Sequence, residues 1–79
     1  MPLTRPPARD PVLTALQHNL RLLGYRVIVN GRLDDLTERA IASFAKRRKL
    51  RVDKGKPEEA LAMVCTALKD KCVKVAATH

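Results

Sequence analysis

The feature that most constrains the fold is a ladder of leucines near the start of the chain. Leu13, Leu16, Leu20 and Leu23 follow one another at spacings of three, four and three residues. Because an α-helix turns once every 3.6 residues, side chains at these spacings share one face. The ladder therefore predicts a helix whose apolar face is buried against other parts of the chain.

Signals for both ends of this helix flank the ladder. Asp10 and Pro11 match an N-cap acceptor followed by proline at the first helical position, where the missing N–H costs nothing. Gly24 suits the C-terminal cap, because glycine adopts left-handed backbone angles freely. The polar residues between the leucines are expected to lie off the apolar face: Gln17, His18, Asn19 and Arg21.

Two further helices carry similar signals. Asp34 and Asp35 offer an N-cap for the second, and Glu38 lies three residues after Asp35, as in a capping box. We expect this helix to fray near Arg48, where cations oppose the negative end of its dipole. A third helix is expected to start at Pro57, with acidic residues in its first turn. The predicted inner faces of the two helices comprise Leu36, Ala40, Ile41 and Phe44, and then Leu61, Val64, Cys65 and Leu68.

The segments between these helices are short and apolar. Residues 25–29 are rich in β-branched side chains, which suits a short strand. Asn30 and Gly31 favour a left-handed turn after this segment. Leu50 and Val52 form a second crossing. The predicted fold class is all-α: a compact three-helix bundle with short extended crossings, spanning residues 10–69. Residues 1–9 are predicted to be a flexible Pro-rich lead-in, and residues 70–79 a C-terminal tail.

Length and composition limit what this chain can be. With 79 residues it is one small domain with a thin core, and 46% apolar with 30% charged residues indicates a folded domain. None of its apolar runs approaches the roughly 20 residues of a spanning helix, so we expect no membrane insertion. Residues 1–7 lack the apolar core of a secretory signal. The compartment stays open, because a mature fragment would have lost its leader.

The charge is concentrated in one stretch. The chain carries 16 Lys and Arg against 8 Asp and Glu, a net charge of +8, which favours polyanions such as nucleic acid, acidic membranes or an anionic cell wall. Residues 46–56, here called the basic stretch, hold seven positive charges and one negative, a net of +6. A basic helix end is one way in which helical domains approach phosphate, so a nucleic-acid-binding domain is an alternative function. Roughly seven residues, 50–56, separate the second predicted helix from the third, whereas three or four separate the helices of a helix-turn-helix motif. The length of this segment therefore disfavours that motif.

A series of short motifs resembles the peptidoglycan-binding domains, three-helix modules appended to bacterial wall hydrolases and phage endolysins. The resemblance covers about residues 12–68. Its motifs are Leu16-Gln17, Leu20, Leu23-Gly24-Tyr25, Val29-Asn30-Gly31, Leu33, Asp34-Asp35, Thr37, Ala40, Phe44, Leu50 and Val52-Asp53. The chain departs from the family at Asn30, where the family has Asp, at Ala45, where it has Gln, and at 53–57, which lack Gly-Pro-x-Thr.

The resemblance implies a non-catalytic module that binds peptidoglycan or its stem peptide and attaches a neighbouring catalytic domain to the wall. It also implies a location in the cell envelope if the parent protein is exported. Arg26 and Arg32 flank the turn at Asn30 and Gly31, here called the first turn, and could pair with stem carboxylates. Gln17 could instead have a structural role, in which its side chain forms hydrogen bonds with the loop that follows the helix. The candidate ligand-binding residues are Gln17, Tyr25, Arg26, Asn30, Gly31, Arg32 and Thr37.

The family resemblance also suggests a second alternative. Matrix metalloprotease prodomains look similar over the same segment, and they block an enzyme through a cysteine in Pro-Arg-Cys-Gly. That motif does not occur in this sequence. A protein-interaction module of the same fold that has lost glycan binding is nevertheless compatible with the missing family residues.

The two cysteines, Cys65 and Cys72, are seven residues apart. In one continuous helix their Cα atoms would be about 10.5 Å apart, too far for a disulfide, so a bridge requires the helix to end soon after Leu68 and fold back. Spacing alone leaves both states open, and the family resemblance favours the bridge. His18 and His79 with the cysteines fit no zinc pattern, and no catalytic arrangement is present. We therefore expect no enzyme activity, metal or cofactor.

Overall fold

The computed structural model describes residues 10–52 and 55–75. These residues form three α-helices and one 3₁₀ turn. The elements are α1 (Pro11–Leu22), α2 (Asp35–Arg48), α3 (Pro57–Leu68) and the 3₁₀ turn Lys69–Lys71. Within the described ranges there is no strand, so the crossing at 25–29 is irregular and the all-α prediction is confirmed. The predicted lead-in, residues 53–54 and residues 76–79, with His79, lie outside the described residues.

The ends of α1 are those that its sequence predicts. The Asp10 carboxylate accepts a hydrogen bond from the backbone N–H of Val12 at 2.9 Å, which satisfies one of the free donors of the first turn. At the other end Gly24 has φ +95°, and its N–H donates to the Arg21 carbonyl at 2.9 Å. The Tyr25 N–H donates to the Leu20 carbonyl at 3.0 Å, which completes a Schellman motif.

The cap of α2 lies one residue earlier than the capping-box pattern predicted. Asp34, rather than Asp35, is the N-cap, and its carboxylate accepts from the backbone N–H of Thr37 at 2.9 Å. The second carboxylate oxygen of Asp34 accepts from the Asn30 side chain at 3.0 Å. Asp34 is therefore favoured as the cap, because it accepts hydrogen bonds from both the first turn of α2 and the side chain of Asn30. The helix ends at Arg48, as expected, and Lys49 follows in the left-handed region at φ +55°.

The core lies where the three helices meet. α1 packs most extensively against α3 and also contacts α2. Leu36 is only half-buried, and Leu61 and Leu68 lie at the edge of the core. The apolar residues that are buried together in this core are Leu13, Leu16, Leu20, Val27, Ala40, Ile41, Phe44, Ala60 and Val64.

The chain reverses after α3 and closes a disulfide. α3 ends at Leu68, and the 3₁₀ turn Lys69–Lys71 brings Cys72 back to Cys65, with the two Cα atoms 4.9 Å apart. The two cysteines are bonded to each other. The reversal supplies the geometry that the seven-residue spacing requires for a bridge.

We predict that the leucine ladder dominates the stability of this small core. Leu16 is fully buried, whereas Leu22 on the same helix is 56% exposed. Leu16→Ala should lower the free energy of unfolding by about 3 kcal/mol, because it removes buried methyl groups and leaves a cavity. Leu22→Ala, the matched control, should change it by less than about 0.5 kcal/mol. Urea denaturation of both variants measures the difference, and equal losses would contradict the assignment of the core.

Candidate functional site

The side chain of Gln17 holds the turn between α1 and α2. This side chain is fully buried, contrary to its predicted place off the apolar face of α1. Its amide nitrogen lies 3.0 Å from the Asn30 side-chain oxygen, 2.7 Å from the Arg32 carbonyl and 2.9 Å from the Thr37 hydroxyl. Its amide oxygen accepts from the backbone N–H groups of Asn30 at 3.0 Å and Gly31 at 2.8 Å. One amide therefore fixes both sides of the turn.

Further hydrogen bonds join this turn to α2. The Asn30 side-chain oxygen accepts from the Arg32 N–H at 2.9 Å, and its side-chain nitrogen donates to Asp34 at 3.0 Å. An aspartate at position 30 could not make the second bond, because a carboxylate has no N–H to donate. The departure from the family pattern at Asn30 thus has a local structural role. We call Gln17, Asn30, Gly31, Arg32, Asp34 and Thr37 the first-turn network.

The network also perturbs the ionisation of Asp34. Hydrogen bonds from the Thr37 side chain lower the pKa of the Asp34 carboxyl below its usual value, although partial burial opposes the shift. The Thr37 backbone and the Asn30 side chain add to the lowering. The charged form of Asp34 is the one that the folded turn favours.

The predicted ligand-binding residues separate into buried and accessible ones. Gln17 and Thr37 are fully buried and Gly31 is buried, so in this conformation they position the turn and offer no surface to a ligand. Asn30 is partly exposed, and Tyr25 is half-buried against the core. The exposed members of the predicted set are Arg26 and Arg32. The structure brings five of the seven into one network and leaves Tyr25 and Arg26 on the neighbouring crossing.

Asn19 has a similar structural role that the sequence reasoning missed. It is fully buried, its side-chain nitrogen donates to the Val73 carbonyl at 2.9 Å, and its side-chain oxygen accepts from the Val73 N–H at 2.6 Å. The same nitrogen lies 3.7 Å from the sulfur atoms of Cys65 and Cys72. Asn19 follows Leu16 at a spacing of three, so helical periodicity does place it beside the ladder.

The described part of the basic stretch lies at the end of α2 and in the residues that follow it. Its residues 46–49 are all exposed, and the Arg48 guanidinium lies 5.7 Å from the centre of the Phe44 ring. Leu50 is 40% exposed and lines a concavity of about 370 Å³ with both residues. The cations are consecutive, so they surround the helix end and do not align along one face.

Metal sites and membrane-spanning helices are both absent from the part of the chain that the structure describes. Among residues 10–52 and 55–75, no cluster of three histidine, cysteine or acidic side chains could hold a metal ion. None of the helices in those ranges has the length and apolar composition to cross a membrane.

Comparison with known proteins places this architecture in a family. Residues 9–62, more than half of the chain, match the family model described as "Putative peptidoglycan binding domain". The chain belongs to this family. No curated protein and no solved structure matches it significantly. The matched residues contain the whole first-turn network, whereas Cys65, Cys72 and Val73 lie beyond them.

We predict that Gln17 stabilises the turn because its amide both donates and accepts hydrogen bonds. Gln17→Glu keeps the shape and the acceptor oxygen, but a carboxylate facing Asn30, Arg32 and Thr37 has no proton to donate. The free energy of unfolding at pH 7 should fall by about 2–4 kcal/mol, because buried polar groups lose their partners. The deficit should shrink as the pH falls and the carboxyl takes up a proton. His18→Glu, at the exposed neighbouring position, is the control and should change stability little.

Asp34 gives a second prediction, on pH dependence. Because its folded-state pKa is lowered, its carboxylate stabilises the fold above its unfolded pKa of about 3.9, and this contribution is lost as the pH falls through the folded value. Asp34→Asn should therefore show a flatter dependence of unfolding free energy on pH between about 5 and 2 than the unmodified chain. Asp35→Asn is the matched charge control. An unchanged slope in Asp34→Asn would contradict the cap interaction.

Proposed function

We propose that this chain is a non-catalytic module that binds peptidoglycan and anchors an attached enzyme or envelope protein to the wall. The observation that supports the proposal is the family match over residues 9–62, which includes the whole first-turn network. Family membership indicates association with peptidoglycan and so with the cell wall. The non-catalytic role and the attached partner are parts of our proposal.

The proposed binding surface is the outside of the first-turn network. Arg26 and Arg32 are exposed, and neither forms an ion pair with a carboxylate within residues 10–52 and 55–75. A guanidinium presents a planar pair of N–H groups that matches a carboxylate, and the stem peptides of peptidoglycan carry carboxylates. The partly exposed Asn30 and Tyr25 border this surface and can contact amide groups of the polymer.

The buried residues of the network contribute by holding the surface in place. Gln17 fixes the backbone on both sides of Arg32, so the position of this arginine is set before a ligand arrives. A binding surface that is already ordered loses less conformational entropy on binding. We therefore assign Gln17, Gly31 and Thr37 to positioning rather than to direct contact.

Anchoring explains how a small module without chemistry of its own could serve a wall enzyme. A shallow surface with two arginines gives modest affinity, but tethering raises the concentration of an attached enzyme at its insoluble substrate. The Cys65–Cys72 disulfide supports a location in the cell envelope, because disulfides persist in oxidising compartments.

The binding experiment is co-sedimentation of the full 79-residue chain with purified sacculi. Arg26→Ala combined with Arg32→Ala should weaken binding about tenfold or more, because two charge-assisted contacts are lost. Arg47→Ala combined with Arg51→Ala removes the same charge from the basic stretch and serves as the matched control. That control variant should bind sacculi nearly as well as the unmodified chain.

The same variants distinguish the alternatives. Full binding by the Arg26 and Arg32 variant would show that another surface contacts the wall. Tight binding of duplex DNA that falls steeply with salt and depends on Arg47 and Arg51 would favour the nucleic-acid alternative. Failure of the unmodified chain to bind sacculi would leave a protein-interaction module of the same fold.

A further inference from the structure

The face of α1 that turns away from the leucine ladder forms one side of a trough. Two adjoining concavities, of about 470 and 250 Å³, share His18 and Val73 in their walls. Helical spacing places the α1 residues of the two concavities on a single face that runs the length of the helix. These residues are Pro11, Thr14, Ala15, His18, Arg21 and Leu22.

The opposite wall is the segment that follows the disulfide. Val73 lines both concavities and Lys74 lines the smaller one. Two attachments hold this segment: the bridge joins Cys72 to Cys65 of α3, and a pair of hydrogen bonds joins the backbone of Val73 to Asn19 of α1. These attachments extend beyond the matched residues 9–62, so family membership alone does not explain the trough.

The chemistry of the trough is apolar with a cationic rim. Leu22 is 56% exposed and Val73 39% exposed, and both line the larger concavity together with Val29. Arg21, an exposed cation, lines the same concavity. None of the described residues that line the two concavities is acidic. Such a surface is complementary to a ligand that combines small apolar groups with a free carboxylate.

We propose that the trough is a second subsite, which takes the alanine-bearing end of the peptidoglycan stem peptide. This inference rests on the proposed function. The alanine methyl groups pack against Leu22, Val29 and Val73, and the terminal carboxylate pairs with Arg21. Val29 is adjacent in sequence to Asn30 of the first-turn network, so one polymer can contact both surfaces. The disulfide builds the wall of the subsite, which makes its affinity dependent on oxidation.

The direct test is an NMR titration of the full ¹⁵N-labelled chain with Nα,Nε-diacetyl-L-Lys-D-Ala-D-Ala, a peptide with one free carboxylate. We expect shifts of the backbone amides of Arg21, Leu22, Val29 and Val73. Arg21→Gln should weaken the affinity about tenfold, and amidation of the peptide carboxylate should weaken it similarly. Arg47→Gln, in the basic stretch, is the matched control and should bind as the unmodified chain does.

The outcomes separate this subsite from the proposed function. Sacculus binding without peptide-induced shifts in the trough, or full affinity in Arg21→Gln, would overturn the subsite and leave wall binding by the first-turn surface intact. Shifts in the trough that depend on Arg21 would support the subsite. If sacculi nevertheless failed to retain the chain, the proposed function would fail while the peptide subsite stood.

Reduction of the disulfide tests whether the bridge holds the Val73 side of the trough in place. After treatment with a phosphine reductant, the peptide should bind several-fold more weakly, because one of the two attachments of Val73 is lost. Retained helical circular dichroism and unchanged amide shifts in α2 would show that the bundle is still folded. Equal peptide affinity in the folded, reduced chain would overturn the role of the disulfide in building the subsite.

Discussion

The structure depends on the burial of two amide side chains on one helix. A core of nine buried apolar residues is thin, and an unpaired polar group within it would cost a large part of the stability of a domain this small. Gln17 and Asn19 are nevertheless fully buried, and no buried side-chain nitrogen or oxygen lacks a partner in the described ranges. Each amide obtains its partners from a different segment: Gln17 from the first turn, and Asn19 from the segment after the disulfide. α1 thereby fixes the two segments from which both proposed binding surfaces are built.

In our proposal, this arrangement separates the residues that position the turn from those that bind the ligand. Two of the residues that carry the family resemblance, Gln17 and Thr37, are fully buried. Charged side chains beside them are exposed: Arg26 and Arg32 at the turn and Arg21 beside the trough. A motif that identifies the family can therefore record how its turn is held, and we propose that the ligand contacts come from neighbouring side chains.

Much of the fold could be predicted from local signals. The leucine ladder, the Asp10 and Gly24 caps and the start of α3 at Pro57 depend on residues close in sequence, and the structure has each of them in place. Of the two predicted cap candidates for α2, Asp34 and Asp35, the structure uses Asp34, which also bonds Asn30, so the capping box that begins at Asp35 is wrong. The role of Asn19 was missed because its partner, Val73, lies 54 residues away. The trough could not be predicted for the same reason, since its two walls are brought together by the reversal after α3.

The most direct test of the central role of these amides is hydrogen exchange of individual backbone N–H groups in the full chain. The Gly31 N–H donates to Gln17 and the Val73 N–H donates to Asn19, although both residues lie outside the helices. Both should exchange far more slowly than the N–H of Ile28, an exposed residue of the irregular crossing. Exchange of Gly31 and Val73 as fast as that of Ile28 would show that the buried amides do not hold these segments, and would contradict our account.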